Sequence, residues 1–146
     1  MSKHQRKIQT MPIDDCIFIN FPIIEDDRGN LTFIENSNHI PFDIKRVYYL
    51  SDIPEGAERG GHAHKKLKQI IIAVSGSFDV AIDDGSNQKV INLNQSNKGL
   101  LIVPMIWREL KNFSTGAVCL VVASDFYLES DYYRDKEDFI KNIKTL

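Results

Sequence analysis

Two histidines that are one residue apart, His62 and His64, are the side chains of this chain best suited to chemistry. Side chains at positions i and i+2 of a β-strand point to the same face. We therefore expect the two imidazoles to project together, with Ala63 on the opposite face. Histidine titrates near neutral pH and can take or give a proton. Two histidines that converge on one cavity would form a proton-transfer pair or half of a metal site.

The residues around this pair follow a defined spacing. Five residues separate Gly56 from the first histidine, four separate the second histidine from Gln69, and six separate Gln69 from Gly76. This spacing resembles the first motif of the cupins, a superfamily of small β-barrels in which many members bind a metal through two histidines, a glutamate and a later histidine. Here Gln69 replaces the glutamate, and Glu109 lies near the expected later histidine, after the expected Pro104. The resemblance therefore implies a cupin that holds no metal.

Composition limits the classes to which the chain can belong. At 146 residues, it is predicted to be one domain spanning 1–146, with residues 1–12 as a flexible extension. The net charge of −2 predicts no general attraction to nucleic acid or to anionic membranes. No apolar run approaches the roughly 20 residues of a membrane helix. No signal peptide is apparent, so we expect a cytoplasmic protein in which Cys16 and Cys119 are buried free thiols.

Short apolar runs separated by turns predict an all-β fold. In residues 78–83, apolar and polar side chains alternate as a half-buried strand requires, and Asp-Asp-Gly at 83–85 is a hairpin signal. Many such strands are typical of a sandwich or barrel. Together with the cupin spacing, they predict a jelly-roll β-barrel (a double-stranded β-helix). A short C-terminal α-helix is expected over 135–146, capped by Asp135, with an apolar stripe of Phe139, Ile140, Ile143 and Leu146.

Several segments together resemble the bacterial nucleotide-sugar 3,4-ketoisomerases over nearly the whole length. The matching segments are residues 27–31, 40–49, 59–65, 83–85, 104 with 107, 123–127 and 131–134. The resemblance implies a substrate that is a thymidine-diphosphate (TDP) 4-keto-6-deoxyglucose and a role in deoxyaminosugar synthesis for cell-surface glycans. It also implies a homodimer, with exchange of N-terminal strands as one arrangement, and no cofactor.

The predicted reaction moves a ketone from C4 to C3 of the sugar. A base removes the C3 proton, an enediol forms, and a proton returns at C4. Such a reaction needs a base, an acid and stabilisation of the developing oxyanion. It needs no redox cofactor, because the substrate is its own donor and acceptor. We assign His62 and His64 as the proton-transfer pair, with Tyr49 as the third catalytic member, although alternation allows only one of Tyr48 and Tyr49 to face a given cavity.

A sugar diphosphate also requires cations at the site. Arg59 lies three residues before His62, and the planar fork of arginine binds phosphate through two parallel hydrogen bonds. The other substrate-binding candidates are Arg46, Arg28, Lys66, Arg108 and Trp107, of which the tryptophan would stack on the base or the sugar.

Two arginines are candidates for control of the product's stereochemistry. In the family that the chain resembles, members differ in the configuration that they create at C4. Arg108 follows Trp107 at a position where some members have histidine, whereas Arg28 matches what other members carry. Arginine can bind and polarise an oxygen but cannot act as a base at pH 7. We hypothesise that Arg28 and Arg108 influence the face of reprotonation.

Three alternatives stay open on the sequence alone. The first is a metal-dependent, dioxygenase-like cupin in which His62, His64 and Glu109 form a triad of two histidines and a carboxylate. The second is a TDP-sugar 3,5-epimerase, which would use one histidine base and a tyrosine acid. The third is a sugar-binding module without catalysis.

Overall fold

The computed structural model describes residues 12–144, so residues 1–11 of the predicted extension and Leu146 of the predicted helix lie outside the described residues. Within that range, the chain begins with a 3₁₀ turn over Pro12–Asp15. The strands and the helix that follow are β1 (Phe18–Asn20), β2 (Ile23–Asp26), β3 (Gly29–Thr32), β4 (Arg46–Leu50), β5 (Arg59–His64), β6 (Gln69–Ser75), β7 (Phe78–Asp83), β8 (Gln88–Leu93), β9 (Lys98–Ile102), β10 (Trp107–Lys111), β11 (Val118–Ala123), β12 (Tyr132–Tyr133) and α1 (Lys136–Lys144).

Two five-stranded antiparallel sheets pack face to face. The first sheet has the strand order β1-β9-β6-β11-β4, and the second has the order β12-β5-β10-β7-β8. Strands β2 and β3 form a separate hairpin. Apolar side chains from both sheets make the core, among them Ile71, Phe78, Val80, Leu100 and Val121. The predicted all-β fold is confirmed.

The apolar patterns explain the positions of the strands. Strand β6 is buried on both faces: Ile71 and Ala73 point into the core between the sheets, whereas Ile70 and Ile72 pack in a second cluster on the outer side. A strand with two buried faces carries a continuous apolar run rather than an alternating one. Strand β7, in contrast, alternates, because its other face is only partly covered.

Helix α1 covers the outer face of the second sheet. Asp135 caps it, since its Oδ1 accepts a hydrogen bond from the Glu137 N–H at 3.1 Å. Phe139 is fully buried against Ala63 and Trp107. Strands β5 and β10 therefore lie between the helix on one side and the interior of the sandwich on the other. The predicted C-terminal helix is confirmed.

Two further observations concern membranes and thiols. Within residues 12–144, no helix has the length and apolar character needed to cross a membrane. Cys16 and Cys119 are both free and buried, and burial raises the pKa of the Cys119 thiol to about 12.

Candidate active site

A cavity of about 420 Å³ opens between the two sheets at one end of the sandwich. Its walls come from β4, β6 and β11 of the first sheet and from β5, β10 and β12 of the second. The lining residues are Arg46, Tyr48, Leu50, Arg59, Gly60, His62, Gln69, Ile71, Arg108, Leu110, Val121, Tyr132 and Arg134. The apolar members belong to the floor of the cavity, and the polar members are mostly cationic or aromatic.

The two histidines lie on the inner face of β5, as alternation predicts. His62 lines the cavity, and His64 is fully buried beside it. Their ring centroids are 4.9 Å apart, with the planes at 87°. Ala63 is buried on the opposite face, beneath helix α1.

A bulge in β5 brings Arg59 to the same cavity as His62. The register with β10 pairs His62 with Arg108 and Arg59 with Leu110, so β5 has one more residue than its partner between these pairs. Gly60 and Gly61 occupy the bulge with φ values of 99° and 41°, which favour glycine. A Cβ at Gly60 would lie 3.1 Å from the Arg108 carbonyl oxygen. Without the bulge, residues three apart would face opposite sides of the strand.

Hydrogen bonds define the tautomers of the two imidazoles. The Nδ1 atom of His62 contacts the carbonyl oxygen of Gly60, and the Nδ1 atom of His64 lies 3.0 Å from Oδ2 of Asp131. A carbonyl and a carboxylate only accept, so in both rings Nδ1 carries the hydrogen. Both Nε2 atoms are buried and have no hydrogen-bond partner among the described residues. Each Nε2 is therefore a free proton acceptor.

The environment keeps both imidazoles neutral. Burial and, as the next cause, the nearby positive charge of Arg108 lower the pKa of His62 to about 4. Burial also lowers the pKa of His64 to about 2, again with Arg108 as the next cause. A neutral imidazole at pH 7 is ready to act as a base.

Arg108 is a buried cation with neutral partners. Only 1% of its surface is exposed. Its guanidinium donates to the Ile106 carbonyl oxygen at 3.1 and 3.2 Å and to Oε1 of Gln69. Burial lowers the pKa of Arg108 to about 10, so the side chain stays charged at pH 7. Gln69 in turn donates to the Tyr48 hydroxyl at 3.2 Å. A desolvated charge is costly, and its position on the cavity wall suits an anionic ligand.

Three more arginines surround the opening. Arg46 has two buried donors, Nε and Nη2, without a partner among the described residues, and its guanidinium lies 5.4 Å from the Tyr48 ring centre. Arg59 is exposed at the rim. Arg134 lies 4.0 Å above the Tyr132 ring and pairs with Glu129 at 2.7 Å. No carboxylate of the described chain lines the cavity, which therefore suits an anion.

The assignment of Tyr49 is wrong for the cavity of its own chain. Tyr49 is 67% exposed, and its neighbour Tyr48 lines the cavity instead. The two side chains alternate across β4. The outward face of β4 is open, since both Val47 and Tyr49 on it are exposed.

Trp107 and Glu109 lie on the face of β10 that is opposite to the cavity. They flank Arg108 on β10 and so point toward helix α1 rather than into the cavity. The Trp107 indole N–H donates to Oε2 of Glu109 at 2.8 Å, and its ring packs on Phe139. The triad of His62, His64 and Glu109 is therefore not assembled. Among residues 12–144, no group of three His, Cys, Asp or Glu side chains is gathered to hold a metal ion.

Lys66 and Arg28 do not reach the cavity of their own chain either. The exposed Lys66 contributes a main-chain N–H, which donates to Oδ1 of Asp131 at 2.8 Å. Arg28 stands at the end of the β2–β3 hairpin, 89% exposed, and pairs with Asp26 at 2.8 Å. Both residues lie in turns, where side chains point to solvent.

Sequence reasoning missed Tyr132, Arg134 and Asp131 as site residues. Tyr132 packs against both histidines in a tilted arrangement, with its ring centroid 4.3 Å from that of His64 and 5.0 Å from that of His62. Strand β12 brings these residues in by pairing with β5, so that Tyr132 lies opposite His64. The available signal was the segment 131–134 itself, which took part in the family resemblance without an assigned role.

Comparison with known proteins identifies the family of the chain. The model of the family described as FdtA: WxcM-like, C-terminal matches residues 14–144. The chain belongs to this family. One curated relative is a TDP-4-oxo-6-deoxy-α-D-glucose-3,4-oxoisomerase from Aneurinibacillus thermoaerophilus. It is 46% identical over 128 residues, which cover 88% of this chain and 92% of the relative. The predicted resemblance to the 3,4-ketoisomerases is thus confirmed.

Two solved structures show the same fold. QdtA, a sugar 3,4-ketoisomerase from Thermoanaerobacterium thermosaccharolyticum solved in complex with TDP, is 43% identical and has a TM-score of 0.86 over 88% of this chain and 94% of its own. WlaRB, a TDP-quinovose 3,4-ketoisomerase from Campylobacter jejuni, is 47% identical, with a TM-score of 0.83 over 88% of this chain and 98% of its own.

Proposed function

We propose that this protein is an isomerase, a TDP-sugar 3,4-ketoisomerase that converts TDP-4-keto-6-deoxyglucose into a TDP-3-keto-6-deoxyhexose. The observation that carries the proposal is neutral His62, whose Nε2 has no hydrogen-bond partner among the described residues and which lines the same cavity as the buried Arg108. A base beside a fixed cation is what removal of a proton next to a ketone requires. The names of the relatives described above support the same reaction.

The proposed steps balance without an outside reactant. Nε2 of His62 takes the C3 proton, and the electron pair of the C3–H bond forms the C3–C4 double bond. Negative charge then develops on O4, where Arg108 stabilises it. O4 gains a proton, O3 loses its own, and a proton returns to C4 while the C3 ketone forms. His64, whose ring packs against that of His62, is the second proton-transfer group.

The arginines at the opening would bind the diphosphate. Arg46 lines the cavity and has two donors without a partner among the described residues, and Arg59 and His62 line the same cavity. Charge-assisted hydrogen bonds from arginine to phosphate are short and strong. Arg134 would exchange Glu129, its present partner, for a phosphate oxygen.

A time course by NMR in deuterated water tests the function. The purified protein is incubated with TDP-4-keto-6-deoxyglucose, and the positions of the ketone and of deuterium are followed, with His62→Asn as the control. We expect the ketone to move to C3, with solvent deuterium appearing at C4. The size of the H4–H5 coupling, measured in a parallel reaction in ordinary water, then gives the product epimer.

Other outcomes would identify the alternatives. An epimerase would keep the ketone at C4 and place deuterium at C3 and C5. A sugar-binding module would leave the substrate unchanged in both proteins. Either result would reject the ketoisomerase.

The hairpin β2–β3 supports the proposal of a homodimer with exchanged N-terminal strands. It exposes Ile24 and Leu31, at 55% and 56%, and it holds Arg28 away from the cavity of its own chain. In the proposed homodimer, this hairpin covers the partner, and Arg28 acts at the partner's cavity. A molar mass of twice the chain mass by light scattering is expected, and a monomer at micromolar concentration would contradict it.

The role of Arg108 in stereochemistry has a direct test. If Arg108 directs reprotonation, Arg108→His should change the ratio of the two C4 epimers. An unchanged ratio from an active variant would reject the hypothesis.

We further propose that the enzyme works in the cytoplasm. The two free, buried thiols, Cys16 and Cys119, suit a reducing compartment. Detection in the cytosolic fraction of the host cell is expected, and recovery outside the cytosol would contradict it.

A further inference from the structure

His64 is held by a residue that lies far away in the sequence. Oδ2 of Asp131 is 3.0 Å from the Nδ1 atom of His64, and 67 positions separate the two residues. The His64 side chain is fully buried, and that of Asp131 is 12% exposed. The contact forms where Tyr132 of β12 pairs with His64 of β5.

The chain fixes the position of this carboxylate from several directions. Its Oδ1 accepts the Lys66 N–H at 2.8 Å, and its Oδ2 accepts the Leu67 N–H at 3.3 Å. The main-chain oxygen of Asp131 accepts the Lys65 N–H at 2.8 Å. The turn between β5 and β6 therefore holds Asp131 on both its main chain and its side chain, and little freedom is left for it to turn away from the imidazole.

We propose that Asp131 is a positioning residue that keeps His64 as the Nδ1–H tautomer and stabilises its imidazolium during turnover. The bond to Asp131 occupies Nδ1, so Nε2 is left as the proton acceptor. The same arrangement of an orienting carboxylate behind a catalytic histidine recurs on unrelated folds.

Electrostatics give Asp131 a second task. When His64 takes up a proton, its ring becomes a cation close to the guanidinium of Arg108, which already disfavours the charged form. Asp131 is the carboxylate that bonds the ring directly. Its negative charge offsets this repulsion while the proton is in transit.

The tautomer can be measured without substrate. Histidine ¹⁵N spectra of the full chain should show, for His64, a protonated Nδ1 and an unprotonated Nε2, with the signals assigned by their loss in His64→Gln. In Asp131→Asn, the amide oxygen can keep the bond from the Lys66 N–H while the NH₂ group takes the place of Oδ2, faces the ring and gives up the longer bond from the Leu67 N–H. We therefore expect Nδ1 to become the acceptor and the hydrogen to move to Nε2.

The kinetic readout rests on the proposed function. Asp131→Asn should lower kcat by about 10²-fold or more, with KM and the affinity for TDP changed less than about threefold. Asp131→Glu should recover part of the loss because it restores the charge. Asp125→Asn, the same substitution at an exposed site six residues earlier, is the matched control and should leave kcat unchanged.

These measurements separate the possible failures. A wild-type His64 with its hydrogen on Nε2 would overturn the proposal even if the variant did not fold. An Asp131→Asn protein with unchanged tautomer and full activity would also overturn it, as would a loss of melting temperature and TDP affinity that accounts for the lost activity. If the wild-type protein had no ketoisomerase activity, the proposed function would fail, and the ¹⁵N spectra would still decide the tautomer.

Discussion

The two faces of strands β5 and β10 carry residues of opposite character. On the cavity face lie His62, His64 and Arg108, which are polar; His64 and Arg108 are buried, and the Nε2 atoms of both histidines have no partner among the described residues. On the helix face lie Ala63 and Trp107, which pack against helix α1. Residues that are adjacent in sequence thus belong to different environments. The face that a residue occupies thus decides whether it has a catalytic role or a packing role. Substitutions on the two faces should therefore have different effects on activity and on stability.

The largest effect is expected on the cavity face at His62. His62→Asn leaves a polar side chain in place but removes the imidazole that accepts the proton, so kcat should fall by about 10²–10⁴-fold. The affinity for TDP, measured by calorimetry, should stay within about threefold. A kcat within tenfold of wild type would show that His62 is not the base.

Arg108→Met should lower kcat by about 10²–10³-fold, which is the usual effect of losing one group that stabilises an oxyanion. The melting temperature should hold or rise, because a methionine replaces a buried charge without a carboxylate partner. Activity would thus fall without a loss of stability. A variant that keeps its activity, or that loses activity and melting temperature together, would contradict the role in the cavity.

The low pKa of His62 predicts activity in acid. A base works when it is unprotonated, so activity is present above its pKa and lost below it. A histidine with the ordinary pKa of about 6.5 is only about 3% unprotonated at pH 5, whereas His62, with a pKa of about 4, is mostly unprotonated. We expect kcat/KM at pH 5 to remain close to its value at pH 7. Circular dichroism at each pH controls for unfolding, and a thirtyfold loss in folded enzyme would contradict the prediction.

Arg46→Gln should weaken TDP binding by about tenfold or more, since a hydrogen bond to a charged group contributes roughly 1.5–3 kcal/mol. Lys66→Ala is the control, because the exposed Lys66 side chain does not line the cavity. Calorimetry with TDP measures both. Equal losses in the two variants would mean that binding depends on overall charge rather than on the cavity.

The smallest effect on activity is expected on the helix face. Trp107→Phe removes the hydrogen bond to Glu109 and should cost about 1 kcal/mol of unfolding free energy in urea, with kcat within about twofold. A large loss of kcat at unchanged stability would indicate that Trp107 takes part in substrate binding after all.

Strand patterns made much of the site predictable. Alternation along β5 predicts that both histidines share a face, and the structure places them so. Alternation also predicts that Tyr48 and Tyr49 diverge, but not which one faces inward, because apolar side chains occur on both faces of β4. For β10, the same rule separates Arg108 from Trp107, and the assignment of both to the substrate site ignored it.

Other features needed the three-dimensional structure. The bulge at Gly60 and Gly61 changes the face of Arg59, yet a glycine pair in a sequence is equally compatible with a turn. Asp131 meets His64 only because β12 pairs with β5. A contact across 67 positions leaves no local pattern in the chain.

The burial of both cysteines makes this protein convenient for site-specific labelling. The sequence contains two cysteines, both are shielded from solvent, and at neutral pH the Cys119 thiol hardly forms the reactive thiolate. A cysteine introduced at the exposed Asn30 of the β2–β3 hairpin would therefore react with maleimide dyes far faster than either native thiol. Fluorescence transfer between dyes at that site on two copies would report whether hairpins from different chains meet, in solution and without a crystal.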